Sequence, residues 1–265
     1  MVFALPDEVL KRGNVRASIS GDVVEITLDR PEARNPQTPA TWTALAAIGA
    51  LLEDSPEIAR VVVIRGAGTA FSAGLDRRMF TAEGVPGEMS LAQLTRLSDV
   101  DLASAIAGFQ EAFLWQRRVP AITVAAVHGP AMGAGFQLAL ACDVLLATAE
   151  ATFAMRETSY GLVPDLAGTH PLVTAVGYSR AMELCATGRV VSADEGYVMG
   201  FVTRVVEDLD EAVAEMALSI CATPPGAVEA LTSLLADSLD RTRVEQAEAE
   251  RHAQVQRLRA LMSGG

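Results

Sequence analysis

Two short apolar runs, Arg60–Arg65 (RVVVIR) and Ile122–Val127 (ITVAAV), each lead straight into a turn rich in glycine and alanine. Such runs, bounded by turn residues, read as buried strands. After the second, His128-Gly129-Pro130 turns the chain, Ala134–Cys142 reads as a helix and Val144–Ala147 as another strand. Upstream, Val15–Ser20 and Val23–Asp29 are split by Gly21-Asp22 and read as a hairpin, while Thr38–Glu53 has helical spacing with Thr or Pro at its start. Strand, turn and helix recurring in order predict an α/β core, with the topology left open.

Ser90–Arg118 reads as one helix that ends before Val119-Pro120. Beyond about Val206 the pattern is wholly helical, over Leu209–Cys221, Pro225–Leu239 and Thr242–Leu261. The division expected is a core over residues 1–206 and a C-terminal helical region over 207–265. The last helix carries a thin apolar stripe of Val244, Ala247, Val255, Leu258 and Leu261, which reads as an oligomer or domain contact.

A net charge of −12 argues against nucleic acid as a partner, because phosphate neutralisation needs clustered basic residues. The three cysteines, Cys142, Cys185 and Cys221, are widely spaced in apolar surroundings and suggest neither a disulfide framework nor zinc. No metal-ligand spacing occurs, and no GxGxxG follows a strand with an acidic partner, so neither a metal nor NAD is expected. The N-terminal MVFALPDEVLKRG lacks a basic stretch followed by a long apolar run, and Leu138–Ala149 is too short to span a membrane, which makes a cytoplasmic protein the expectation. His128, His170, Ser72 and Ser159 stand in no nucleophile pattern.

Two small-residue turns after strands, Phe71–Asp76 (FSAGLD) and Gly133–Gln137 (GAGFQ), have the form needed to aim backbone N–H groups at a developing oxyanion. Singly, either is weak, since glycine turns also serve close chain approach. Together with RPEARN at 30–35, HGPAMGAGFQLALACD at 128–143 and FAMRETSYGLVPDLAG at 153–168, their order and spacing resemble the enoyl-CoA hydratase/isomerase (crotonase) family from about Val15 to Val206. The segment Pro120–Asp143 carries most of that resemblance.

The resemblance implies a coil of ββα units with a C-terminal helical region, assembled as a homotrimer or a dimer of trimers. It implies an acyl-coenzyme A thioester as substrate, with no separate cofactor, in fatty-acid metabolism. The oxyanion hole falls on the N–H groups of Leu75 and Ala134. Coenzyme A contacts fall on Arg34, Ala73 and either Arg77 or Arg78, although solvated surface charge is the alternative for the arginines. Asp76 reads as a structural residue that orients its turn.

Hydratases of this family use two glutamates. The position of the first is Gln137, whose amide exchanges no proton at useful pH, while the second is kept as Glu157. Asp165 stands where hydratases carry glycine, and reads either as a second proton carrier or as a cap for a helix beginning near Ala167. A salt bridge from Glu157 to Arg156 or Arg189 is its structural alternative. Double-bond isomerisation of an enoyl- or dienoyl-CoA is therefore the expected activity, through Glu157, Asp165 and Gln137. Hydration of a trans-2-enoyl-CoA is the alternative, and a non-catalytic acyl-CoA-binding protein is a reading of another class.

Overall fold

A computed structural model describes residues 7–263. The sequence expectations for residues 1–6 and 264–265 lie outside the described residues. The chain opens with α1 (Asp7–Gly13) and the antiparallel hairpin β1 (Val15–Ser20) and β2 (Val23–Leu28), turned at Gly21 with φ +58°. Four units then repeat one plan, a long strand, a short strand and a helix.

The first unit is β2, β3 (Pro36–Gln37) and α2 (Pro39–Asp54). The second is β4 (Val61–Gly66), β5 (Gly74–Leu75), α3 (Leu91–Leu94) and α4 (Asp99–Leu114). The third is β6 (Ile122–Val127), β7 (Pro130–Met132) and α5 (Ala134–Ala141). The fourth is β8 (Val144–Thr148), β9 (Thr152–Ala154), α6 (Thr169–Val176) and α7 (Tyr178–Thr187). The chain closes with β10 (Val191–Ser192), α8 (Ala193–Met199), β11 (Arg204–Val206), α9 (Leu209–Cys221), α10 (Ala227–Ala236) and α11 (Arg243–Ser263).

The long strands form a six-stranded sheet in the order β1-β2-β4-β6-β8-β11, parallel from β2 onward. The short strands pair separately, β3 with β5 and β7 with β9, and a bridge from Ser72 to Ala131 ties the two sets together. This is the coil of ββα units that the resemblance implies. Alternation along the central strands explains why they read as continuous apolar runs. Val62 and Ile64 face one core with Ala125 and Val127, whereas Val61 and Val63 face a second with Val124 and Ala126.

The second core joins the first of the C-terminal helices to the sheet. Helix α9 lies across β4, β6 and β8 and buries Ala212 and Ala217 there, so it covers a sheet face that would otherwise be wet. Arg60 pins the following turn by donating to the carbonyls of Cys221 (2.8 Å) and Thr223 (2.9 Å) and to Glu229 (3.2 Å). Helix α11 packs on α10.

The expected single helix over Ser90–Arg118 is two helices and a 3-10 turn. Ser90 caps α3 through the Gln93 N–H, and Ser98 caps α4 through the Asp101 N–H (3.2 Å), so a second N-terminus interrupts the run. Helix α2 begins on Thr38 in a capping box with Thr41, with Pro39 in its first turn.

Candidate active site

The two turns singled out in the sequence meet in space. Met132 N–H donates to the Ser72 carbonyl (2.9 Å) and Ser72 N–H to that of Pro130 (3.0 Å). A Cβ on Gly74 would lie 2.4 Å from the Met132 carbonyl oxygen and 3.7 Å from the Ala134 nitrogen, so the turns touch through a glycine at φ +86°. On the first turn, Asp76 N–H donates to the Gln37 carbonyl (2.8 Å). In a parallel pair the alternate residue, Leu75, directs its N–H to the opposite side. On the second, Ala134 opens α5 behind Gly133, which supplies no capping side chain, so its N–H belongs to the unfilled first turn of the helix. Leu75 and Ala134 are thus on neighbouring chain segments, as the oxyanion expectation requires.

Polar residues whose positioning role the sequence reading missed hold the first turn. Asn35, buried at φ +52°, accepts from Arg30 N–H and donates to the carbonyls of Ala67 (2.7 Å) and Ala70 (2.8 Å). Trp42 donates to Gln37, Gln37 to the Ser72 hydroxyl (3.1 Å), and that hydroxyl to the Asn35 carbonyl while accepting from Gly74 N–H (3.2 Å). The available signal was the cluster of uncharged polar residues inside the RPEARNPQ and FSAG segments, which a buried loop must pair.

Asp76 is structural, as read. It is buried, caps a 3-10 turn through Arg78 N–H (2.9 Å) and is paired by the guanidinium groups of Arg78 and Arg30. Burial pushes its pKa up, but the hydrogen bonds from Arg78 and Arg30 outweigh that and hold it well below the usual range. Arg78 is therefore committed to Asp76. Arg34, Ala73 and Arg77 are exposed, and Arg34, at φ +64°, accepts the Ala73 N–H on its carbonyl (2.8 Å). That bond brings Arg34 beside Ala73.

Glu157 opens a 3-10 turn after β9 and lays its carboxylate over Gly133, whose Cβ would stand 3.1 Å from Oε1. Gln137, one turn into α5 and fully buried, donates from Nε2 to that Oε1 (2.7 Å) and accepts on its own oxygen from Leu166 N–H (3.0 Å) and Gly168 N–H (3.3 Å). Gln137 and Glu157 are thus one hydrogen-bonded unit. The salt-bridge alternative for Glu157 is not seen: Arg156 donates to the Gly188 carbonyl and Arg189 pairs with Glu183 and Glu195.

Burial is the largest influence on Glu157 and raises its pKa; hydrogen bonds from its backbone and from Gln137 pull downward, and the charge of Asp165 adds to the rise. Asp165 reaches solvent, yet the protein around it is close enough that desolvation raises its pKa too. It caps no helix: α6 begins at Thr169 behind Gly168, with no side-chain cap. Among the described residues no group of three or more His, Cys, Asp or Glu is placed to hold a metal, and no helix is long and apolar enough to cross a membrane.

The coil of ββα units with its paired glycine turns is the crotonase fold. A profile of the Enoyl-CoA hydratase/isomerase family matches residues 18–260. The chain is 36% identical to the carnitinyl-CoA dehydratase of Salmonella enteritidis PT4 over 81% of its length and 77% of that protein's. It superposes with a TM-score of 0.90 on a Thermobifida fusca YX protein assigned as an enoyl-CoA hydratase and solved with CoA, at 42% identity and 98% coverage of both chains. The enoyl-CoA hydratase of Bacillus anthracis superposes at 0.78, with 27% identity and coverage of 91% and 89%. The chain belongs to the enoyl-CoA hydratase/isomerase family and is an enzyme of the crotonase superfamily.

Proposed function

We propose that the chain moves the double bond of an enoyl-CoA thioester from the 3,4 to the 2,3 position, with Glu157 as the proton carrier. Glu157 removes a proton from C2, the electron pair passes into the thioester carbonyl, and the Leu75 and Ala134 N–H groups stabilise the oxyanion. The same carboxyl then returns its proton to C4 and the carbonyl re-forms. Arg34, Ala73 and Arg77 hold the coenzyme A portion, in keeping with the CoA and acetoacetyl-CoA complexes of the Thermobifida fusca YX protein. The carrying observation is the pairing of Glu157 with an amide at residue 137, which leaves a proton carrier beside the oxyanion turn but no acid on the Gln137 side.

Hydration or dehydration is the second reading, favoured by one observation: Asp165 is near enough to raise the Glu157 pKa and is itself a protonatable group. The deciding experiment offers the purified protein trans-2-, cis-3- and 3,5-dienoyl-CoA and follows double-bond position and water incorporation. The isomerase reading expects turnover of cis-3-enoyl-CoA, and a loss of about 10²–10⁴-fold in rate for Glu157→Gln. Rapid hydration of trans-2-enoyl-CoA by the parent chain overturns it. Assembly as a trimer or dimer of trimers is part of the proposal, supported by the exposed Val244, Val255, Leu258 and Leu261 on α11.

A further inference from the structure

We infer that Gln137 is a positioning residue for Glu157: its amide, anchored by two backbone N–H groups, holds the carboxylate through Oε1 and fixes where it stands over the glycine turn. The inference rests on the proposed role of Glu157 and adds what holds its carboxylate in place.

The two ends of the Gln137 amide are not interchangeable. Its oxygen receives two backbone N–H groups, from Leu166 and Gly168, so a flipped amide would set its NH2 against two donors and its oxygen against a carboxylate. The NH2 must therefore face Glu157, and it donates to Oε1 at 2.7 Å. The approach of the turn is equally determined. A Cβ on Gly168 would lie 2.5 Å from Gln137 Cγ, so only glycine lets the backbone come this close. Ala167 between the two donors is held at φ +61°, a left-handed conformation that costs a non-glycine residue about 1 kcal/mol or more and persists only where its surroundings over-determine it.

The opposite oxygen has a different environment. Glu157 Oε2 is shut off from solvent and has no hydrogen-bond partner among the described residues. A buried carboxylate oxygen without a donor is costly in the ionised form, which makes the hydrogen bond from Gln137 to Oε1 the more important to that form. The ionisable groups around Glu157 do not compensate it: Asp165 is an acid, Cys185 feels Glu157 only as a charge, and Arg156 and Arg189 are committed elsewhere. Gln137 is the side-chain donor to the ionised form.

The test is a carboxyl ¹³C NMR titration of protein carrying labelled glutamate, with the Glu157 signal assigned by its loss in Glu157→Gln, run beside steady-state kinetics. In Gln137→Leu the titration of Glu157 is expected to move up by about one unit or more. Its kcat is expected to fall about 10–100-fold with KM within about twofold, because the carboxylate is misplaced while the coenzyme contacts remain. Gln137→Glu keeps an acceptor for the Leu166 and Gly168 N–H groups but must share a proton with Glu157. Its rising pH–rate limb is expected to shift up although the turn stays in place.

A folded Gln137→Leu protein with an unmoved titration and unchanged kcat overturns the inference, and so does an unmoved Gln137→Glu profile if the leucine variant fails to fold. The titration needs no turnover. A protein that isomerises nothing, yet shows the Gln137→Leu shift, refutes the isomerase reading and leaves the positioning role standing.

Discussion

Glu157 is a neutralisable charge in a site that disfavours charge, and this has a stability consequence. Its folded pKa lies above the ordinary 4.5, so the folded chain binds the proton more tightly than the unfolded one. The protonated form therefore contributes stability below the ordinary value, and that contribution is lost as pH rises through the folded pKa. Glu157→Gln is expected to melt at a higher temperature than the parent near pH 8, with the gain fading below about pH 4, where both states of the parent are protonated; calorimetry at the two pH values checks this. Asp165 raises the Glu157 pKa by its charge. Asp165→Asn is expected to shift the rising limb of the kcat/KM profile to lower pH, and an upward shift would show that the two carboxyls do not interact in this way.

At the scale of elements, glycines show where packing overrides local preference. Gly49 lies inside α2, where alanine is the better helix former by about 1 kcal/mol. A Cβ there would stand 2.2 Å from Cγ of the fully buried Trp115. Gly49→Ala is therefore expected to destabilise, by about 1–3 kcal/mol in urea unfolding, because the overpacking exceeds the propensity gain. The paired turns follow the same logic with a functional outcome. Gly74→Ala strains a φ of +86° and drives a methyl into the Met132 carbonyl, so kcat is expected to fall through displacement of the Leu75 N–H.

Across the whole molecule, the sheet has two buried faces, and the second exists because the chain returns to cover it. Arg60, at the entry of β4, holds the turn after α9 through two carbonyls, the Thr223 hydroxyl and Glu229. Arg60→Met leaves the largely buried Glu229 without its cation and is expected to cost about 3 kcal/mol in urea unfolding. Adding Glu229→Gln is expected to recover part of that loss, since the coupled pair would then be neutral; strictly additive effects would show no coupling.

The sequence was most legible where its signal was local. The hairpin, the apolar central strands, α2, α5 and the two glycine turns could each be read from neighbours along the chain, and the order of those turns was enough for the family. The split between α3 and α4 was also written locally, in Ser90 and Ser98, but helical periodicity ran across it. What only the tertiary structure decided is the pairing of groups distant along the chain: Gly74 against Met132, Arg60 against the α9–α10 turn, Asp76 against Arg30, and Gln137 between Glu157 and Gly168. The physical reason is directional. A residue type states which donors and acceptors are present, but where an N–H or a carboxylate oxygen points depends on the backbone that faces it. At residue 137 the sequence determined that no acid stands there, and the fold determined that the amide holds the Glu157 carboxylate.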